Sequence, residues 1–135
     1  MSREIRLCEN ECCYSTQCGL VIDLEDDKFK PNVSHADFIC FKDDTIIIIE
    51  LKNIKDFEKV EDVIKSVKDK MNQSLITKEG VKDPTLAKIK SLYFDRNVKV
   101  YFYIVVPKEV KAHFLPLFRG MKAKFDCVDV KVCGR

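Results

Sequence analysis

The chain has 135 residues, of which 46% are hydrophobic and 34% charged, a length and balance that predict one globular domain with a single core. The formal net charge of +2 hides an uneven distribution, because residues 1–50 carry 5 Lys/Arg and 11 Asp/Glu whereas residues 51–135 carry 19 and 11. An acidic part facing a basic remainder suits an enzyme that uses a metal ion on a polyanion, although a solvated charged surface explains it equally well.

Nothing in the sequence predicts a membrane partner or secretion. The isoleucine run Ile46–Ile49 is far too short to span a bilayer. The first seven residues are charged, and no apolar segment of a signal peptide follows them. We therefore expect a soluble, cytoplasmic protein.

The N-terminal region gives conflicting signals. Ile5, Cys8 and Cys12 have helical spacing and Ser2 could cap a helix, whereas residues 4–7 alternate as in a strand. We favour a short helix here. Residues 19–25 then alternate between apolar and polar side chains and predict a strand, which a loop over residues 26–35 follows.

The next segment predicts a β-hairpin with strands at residues 37–42 and 45–52. If Asp43-Asp44 is the turn, paired positions run from Lys42 with Thr45 to Asp37 with Glu50. Because side chains alternate across a sheet, Asp37, Glu50 and Lys52 would then share one face at one end of the hairpin.

The remaining elements alternate between helices and strands. An apolar stripe predicts a helix over residues 56–75, and Asp83-Pro84 predicts the start of a second, with N-cap and first helical residue in place. Residues 76–82 are expected to form a loop. Residues 98–106 predict a strand covered on both faces, and residues 124–133 predict an alternating strand. Between these strands, Pro107 opens a third helical stretch that Pro116 should interrupt. The order predicts an α/β fold in three α/β/α layers around a mixed sheet.

The charged end of the hairpin is the candidate site. Two carboxylates that face each other across strands repel, and a divalent cation between them removes the repulsion. Lys52 could neutralise charge or hold an attacking water. The alternative is a surface salt bridge of Lys52 with Asp37 or Glu50, which contributes little.

These residues resemble the motif of the PD-(D/E)xK nuclease superfamily, with Asp37 followed, after a hydrophobic strand, by Glu50-Leu51-Lys52. The size and the following helix look like the archaeal Holliday junction resolvases and other restriction-endonuclease-like domains. The resemblance covers residues 35–75 well and the βαβ ending loosely, and it treats residues 1–135 as one domain. It implies Asp37, Glu50 and the Leu51 carbonyl as ligands of Mg²⁺ or Mn²⁺, and Lys52 as the residue that activates or orients water.

The resemblance also suggests accessory residues. A glutamate on a first helix often completes the site, with Glu4, Glu9 and Glu11 as candidates, and His35 precedes the motif. Some relatives use a glutamine on the helix after the lysine, where Gln73 lies, but helical geometry brings Lys68 and Asn72 nearer to the apolar stripe. Five further lysines could follow a phosphate path, although a solvated helix face is the preferred explanation: Lys55, Lys59, Lys65, Lys68 and Lys70.

Seven cysteines are many for a chain of this length. Their spacing does not match paired CxxC ligands, so structural thiols or disulfides are favoured over a zinc site, an iron–sulfur cluster or a reactive thiol. Cys127 and Cys133 are too far apart along one strand to bond each other, and each would need a partner elsewhere. The other cysteines considered are Cys8, Cys12, Cys13, Cys18 and Cys40.

The function expected from the sequence is cation-dependent hydrolysis of DNA phosphodiester bonds. A homodimer is expected, because one domain has one site and two strands must be cut. The alternative is a catalytically inactive relative that binds nucleic acid or serves in an assembly. A metal or redox protein built on the cysteines is the third possibility.

Overall fold

A computed structural model describes residues 3–28, 36–54, 56–73, 76–77, 80–81, 83–93, 98–115 and 124–133. His35, Leu75 and Pro116, which entered the sequence predictions, lie outside these ranges. The strands described are β1 (Arg3–Glu9), β2 (Cys12–Cys18), β3 (Leu20–Asp23), β4 (Phe38–Lys42), β5 (Thr45–Leu51), β6 (Ile76–Thr77), β7 (Gly80–Val81), β8 (Lys99–Val106) and β9 (Cys127–Val132). The helices described are α1 (Val60–Asn72), α2 (Pro84–Tyr93) and two 3-10 helices (Phe57–Lys59 and Lys108–Phe114).

The core of the fold is a five-stranded mixed sheet in the order β3-β4-β5-β8-β9. The first three strands form an antiparallel meander, and β8 and β9 continue the sheet parallel to β5. The central strand, β5, is buried over Ile46–Leu51, which is why four consecutive isoleucines suit it. The mixed α/β content predicted from the sequence is confirmed.

The described helices pack on one face of the sheet. Buried residues of α1, α2 and the second 3-10 helix join one cluster with the even-numbered side chains of β5 and β8. Of the apolar stripe predicted for α1, Val60, Val67 and Met71 are buried, whereas Phe57 is exposed and lies against the ring of His113. At the start of α2 the Asp83 side chain accepts the Thr85 N–H, so the predicted N-cap is confirmed.

The other face of the sheet is covered by a β-hairpin, which corrects two predictions. Residues 3–18 form β1 and β2, joined at Asn10-Glu11, and do not form a helix. Both turn residues have positive φ (48° and 70°), the conformation of a two-residue hairpin turn that asparagine tolerates well. The alternation over residues 4–7 was the correct signal. The predicted α/β/α layering is wrong, since the hairpin takes the place of one helical layer.

Smaller differences concern the middle of the chain. Residues 76–82 were expected to be a loop, but Ile76–Thr77 pairs with Gly80–Val81 in a short antiparallel ladder. Leu92, an apolar residue of α2, is 73% exposed. No helix in the described part of the chain is long and apolar enough to cross a membrane.

Candidate active site

The predicted register of the β4–β5 hairpin is confirmed from Lys42–Thr45 to Phe38–Ile49, whereas the predicted Asp37–Glu50 pair is not part of the ladder. Lys42 pairs with Thr45 and Phe38 with Ile49, with Asp43 at positive φ (52°) in the turn. One residue beyond the ladder, the Asp37 N–H donates to the Ile49 carbonyl over 3.1 Å. The two strands therefore end side by side, and Asp37 and Glu50, the residues next to their last pair, lie at one edge of the sheet.

Asp37 is fixed by the backbone of β5. It is 8% exposed, and its Oδ2 accepts the Leu51 N–H over 2.8 Å. The N–H and C=O of one residue in an extended strand point to the same side. The Leu51 carbonyl, predicted as a ligand, therefore faces the same edge as the Asp37 carboxylate.

Glu50 is the most deeply buried ionisable side chain among the described residues. It is 1% exposed, and no described group donates a hydrogen bond to either of its side-chain oxygens. Burial, and next the negative charge of Asp37, raise the pKa of Glu50 to about 8. Ionisation of a buried carboxyl that accepts no aligned hydrogen bond costs free energy, so Glu50 is expected to bind a cation or a proton.

Two lysines supply positive charge around Glu50. The Lys70 ammonium lies 3.0 Å from Glu50 Oε2, and the Lys52 ammonium lies 3.8 Å from Oε1. These are ion pairs without aligned hydrogen bonds to the carboxylate. Burial is the largest influence on Lys70 and lowers its pKa, but the charges of Glu50 and Asp37 together with the side-chain contacts to Glu50 and Lys52 outweigh it, and the net shift is upward. Near neutral pH the protonated acid is the favoured state of Glu50, because burial and Asp37 both oppose its charge.

Lys70 was not expected at the site, since the lysines of α1 were assigned to a solvated face. Val63, Val67 and Lys70 are spaced by four and three residues, so they share one side of the helix. That side faces the sheet, and the long side chain of Lys70 carries its ammonium past the apolar contacts to the buried acid. The three-residue spacing between Val67 and Lys70 was the sequence signal that could have placed Lys70 on the side of α1 that faces the sheet.

The other predicted accessory residues are less close to this chemistry. Gln73 is exposed at the C-terminal end of α1, and Asn72 accepts a hydrogen bond from Lys124. Lys68 precedes Lys70 by two residues and so points about 160° away around the helix. His35 lies outside the described residues.

Among the N-terminal glutamates, Glu9 is the one whose ionisation responds to the site. Burial raises its pKa, followed by the negative charge of Asp37, while Lys52 acts in the opposite direction. Glu11, another of the three candidates, is exposed in the hairpin turn. The turn reaches the site edge because the Asn53 side chain donates to the Asn10 carbonyl. An acid from this region therefore comes from a strand end, not from a helix.

The donor set at this edge consists of oxygen atoms. The described residues contain no group of three or more His, Cys, Asp or Glu side chains arranged around one point. Magnesium needs less than that, because it is commonly held by one or two carboxylates and keeps several water ligands. Asp37, Glu50 and the Leu51 carbonyl fit such an ion, and the buried Glu50 oxygens that accept no hydrogen bond are the observation that supports it.

Six of the seven cysteines form three disulfides, Cys8–Cys13, Cys12–Cys133 and Cys18–Cys40, and Cys127 is free. The preference for disulfides and the need of Cys133 for a distant partner are confirmed. The same expectation for Cys127 is wrong. Sulfur bonded in a disulfide is not a thiolate ligand, so the structure lends no support to zinc or an iron–sulfur cluster on these residues.

Three comparisons with known proteins bear on the family of this chain. No protein-family model, no curated protein and no solved structure matches it.

Proposed function

We propose that this chain is a divalent-cation-dependent endonuclease of the PD-(D/E)xK kind that hydrolyses DNA phosphodiester bonds. The observation that carries the proposal is Glu50, a buried carboxyl whose oxygens accept no aligned hydrogen bond although two ammonium groups lie near them, beside Asp37 at the ends of two paired strands. The mixed sheet with helices packed on one face is compatible with a restriction-endonuclease-like core.

Each site residue has a role that follows from its position. Asp37 and Glu50, with the Leu51 carbonyl, would hold Mg²⁺ or Mn²⁺, and such an ion supplies charge stabilisation and an acidified water for phosphodiester hydrolysis. Lys52 is 30% exposed, so its ammonium can meet a substrate phosphate while it stays near Glu50. There it stabilises the negative charge that develops on phosphate oxygens.

The proposed partners follow from the reaction. A single site cuts one strand, so cleavage of a duplex or junction calls for two copies, and we propose a homodimer. A DNA substrate favours the cytoplasm. Three disulfides are compatible with that location in the intracellular proteins of hyperthermophiles, which are often rich in disulfides.

Cleavage assays test the proposal directly. The oxidised protein is incubated with a four-way junction, linear duplex and single-stranded DNA in Mg²⁺, Mn²⁺ or EDTA. We expect cation-dependent cleavage of at least one substrate, and Asp37→Asn, Glu50→Gln and Lys52→Met to reduce its rate by about 100-fold or more. Asp44→Asn, at the exposed turn of the same hairpin, is the matched control and should cleave normally.

A folded protein that leaves all three DNA forms intact in both cations would rule out the nuclease. Circular dichroism of each variant distinguishes loss of chemistry from loss of fold.

A second function is favoured by the lysines around Glu50. Because Lys70 and Lys52 already offset its charge, the site could be a purely structural ion-pair cluster in an inactive nucleic-acid-binding or assembly module. In that case DNA binding, measured by fluorescence anisotropy, is unchanged by EDTA and by Glu50→Ala. Cation-dependent cleavage that Glu50→Ala abolishes would exclude this alternative.

A further inference from the structure

Lys70 places its positive charge at one of the two Glu50 oxygens that would hold a cation. Its ammonium is 3.0 Å from Oε2, closer than that of Lys52 to Oε1 at 3.8 Å. Both lysines are largely covered, with 19% and 30% of their side chains exposed, and Glu50 is 1% exposed. A positive charge at Oε2 therefore sits inside the site and not at its rim.

The helix holds Lys70 in this position. Val67, one turn earlier on the same side of α1, is fully buried, and Met71 beside Lys70 is also fully buried. With its neighbours anchored in the core, the backbone of Lys70 is fixed, and only its flexible side chain can leave Glu50. The aliphatic part of a lysine can extend to solvent at little cost, so such a movement needs no change in the fold.

The charges of the side chains around Glu50 affect how strongly the site would bind a cation. Lys70 and Lys52 face the two carboxyls Asp37 and Glu50, so these four groups carry no net negative charge even when Glu50 is ionised. A divalent ion at Glu50 would adjoin the Lys70 ammonium, and like charges at such short range in a poorly hydrated site repel strongly. Binding of the ion and retention of Lys70 at Oε2 are therefore in opposition.

We propose that Lys70 is an internal competitor for the divalent cation: it occupies the cation's side of Glu50 and must be displaced before the ion binds. The proposal rests on the cation site of the proposed function and adds a residue that sets its affinity. Removal of the ammonium should then strengthen cation binding, which is the opposite of what loss of a supporting residue would do. A displaced Lys70 becomes exposed to solvent.

Binding of Mn²⁺ alone, without DNA, tests this competition. Free Mn²⁺ is measured by electron paramagnetic resonance in titrations of the wild type, Lys70→Met and Lys70→Gln at pH 8. We expect both variants to bind Mn²⁺ roughly 10- to 100-fold more tightly than the wild type, the range typical of residues that surround metal ligands. Lys65→Met, an exposed lysine of the same helix, should leave the affinity unchanged.

A second measurement uses the wild type and does not depend on the folding of any variant. Reductive methylation followed by mass spectrometry reports the reactivity of each lysine. Lys70 should become several-fold more reactive at saturating Mn²⁺, whereas Lys65 should not change.

The possible outcomes separate this proposal from the nuclease. Equal or weaker Mn²⁺ binding by both Lys70 variants overturns the competition, even if the wild type binds Mn²⁺ and cleaves DNA. Tighter binding by the variants supports it, even if no DNA is cleaved. If neither the wild type nor the variants bind Mn²⁺, the competition and the cation site fail together.

Discussion

Glu50 is the residue on which the proposed chemistry of this molecule most depends. It ends a strand of buried isoleucines and cannot reach bulk water, so its charge must be balanced within the protein. Burial and Asp37 raise its pKa to about 8 and the lysines only partly counteract them. The same acid that would hold a cation therefore holds a proton when no cation is bound.

This proton makes the stability of the cation-free protein depend on pH. The folded protein binds more protons than the unfolded chain between the pKa of an unfolded glutamate, 4.5, and the folded value of about 8. The free energy of unfolding should therefore be highest below pH 4.5 with respect to this group and fall as pH rises through 8. Since each pKa unit corresponds to about 1.4 kcal/mol, the loss should reach a few kcal/mol.

Glu50→Gln should remove this fall. Urea unfolding of both proteins in EDTA at pH 5, 7 and 9 measures the difference, with the variant gaining on the wild type as pH rises. Glu61→Gln, an exposed acid of α1, serves as the control and should follow the wild type. Parallel curves for the wild type and Glu50→Gln would show that Glu50 keeps an ordinary pKa.

The N-terminal hairpin is the element that most distinguishes this fold. It is not hydrogen-bonded into the five-stranded sheet, and it covers one face through the cluster around Leu7, Ile47 and Val105. Two disulfides join it to the sheet region, Cys18–Cys40 near one end and Cys12–Cys133 near its turn. These bonds fix the turn, and with it Glu9, whose pKa is raised by burial and by the charge of Asp37.

The disulfides should differ in their contribution to stability. Cys12–Cys133 spans 121 residues and Cys8–Cys13 spans 5, so the first removes far more freedom from the unfolded chain. Chain entropy predicts that Cys12→Ala with Cys133→Ala costs about 5 kcal/mol of unfolding free energy, against about 2 kcal/mol for Cys8→Ala with Cys13→Ala.

Urea denaturation of the two double variants, with the remaining disulfides intact by mass spectrometry, provides the comparison. The pair Cys8/Cys13 is the matched control, since it likewise removes two sulfur atoms and lies within the hairpin that also carries Cys12. Equal losses would mean that local packing, and not loop length, governs these bonds.

The outer strand β9 ends the sheet among the described residues. Edge strands can pair with other chains unless something blocks them. Here the Asp129 carboxylate accepts the Val130 N–H over 2.9 Å and pairs with the Lys131 ammonium at 2.8 Å. A charged pair and an occupied amide on this strand oppose pairing with another strand.

At the scale of the whole molecule, a bound cation should stabilise the fold. An ion that binds only the folded state adds about 2.7 kcal/mol when its concentration is 100 times the dissociation constant. Urea unfolding of the wild type should therefore shift to higher denaturant as Mn²⁺ is added, in proportion to the logarithm of its concentration.

The variant Asp37→Asn with Glu50→Gln should not respond to Mn²⁺ in the same titration. Asp43→Asn with Asp44→Asn keeps the same change of charge at the far end of the hairpin and should respond like the wild type. A uniform response of all three proteins would assign the effect to general ionic stabilisation.

The sequence predicted the hairpin of the candidate site more accurately than the surroundings of that site. The Asp43-Asp44 turn determines the register, because the turn type and loop length of a hairpin fix which residues pair. By contrast, the spacing from Val67 shows which side of α1 carries Lys70, but its contact with Glu50 depends on how α1 packs on the sheet, which local spacing does not determine. The N-terminal hairpin was missed because cysteine positions set by disulfides imitated helical spacing, and pairing cannot be read from spacing alone.

The Cys12–Cys133 bond also determines how the molecule would bear a mechanical load. A force applied between β1 and the end of β9 passes through this covalent link and bypasses the 121 residues it encloses. The sheet between them carries no tension, and about 400 Å of extended chain stays hidden from the pull until the bond is reduced. The oxidation state of this disulfide therefore controls how far the chain can be extended under tension.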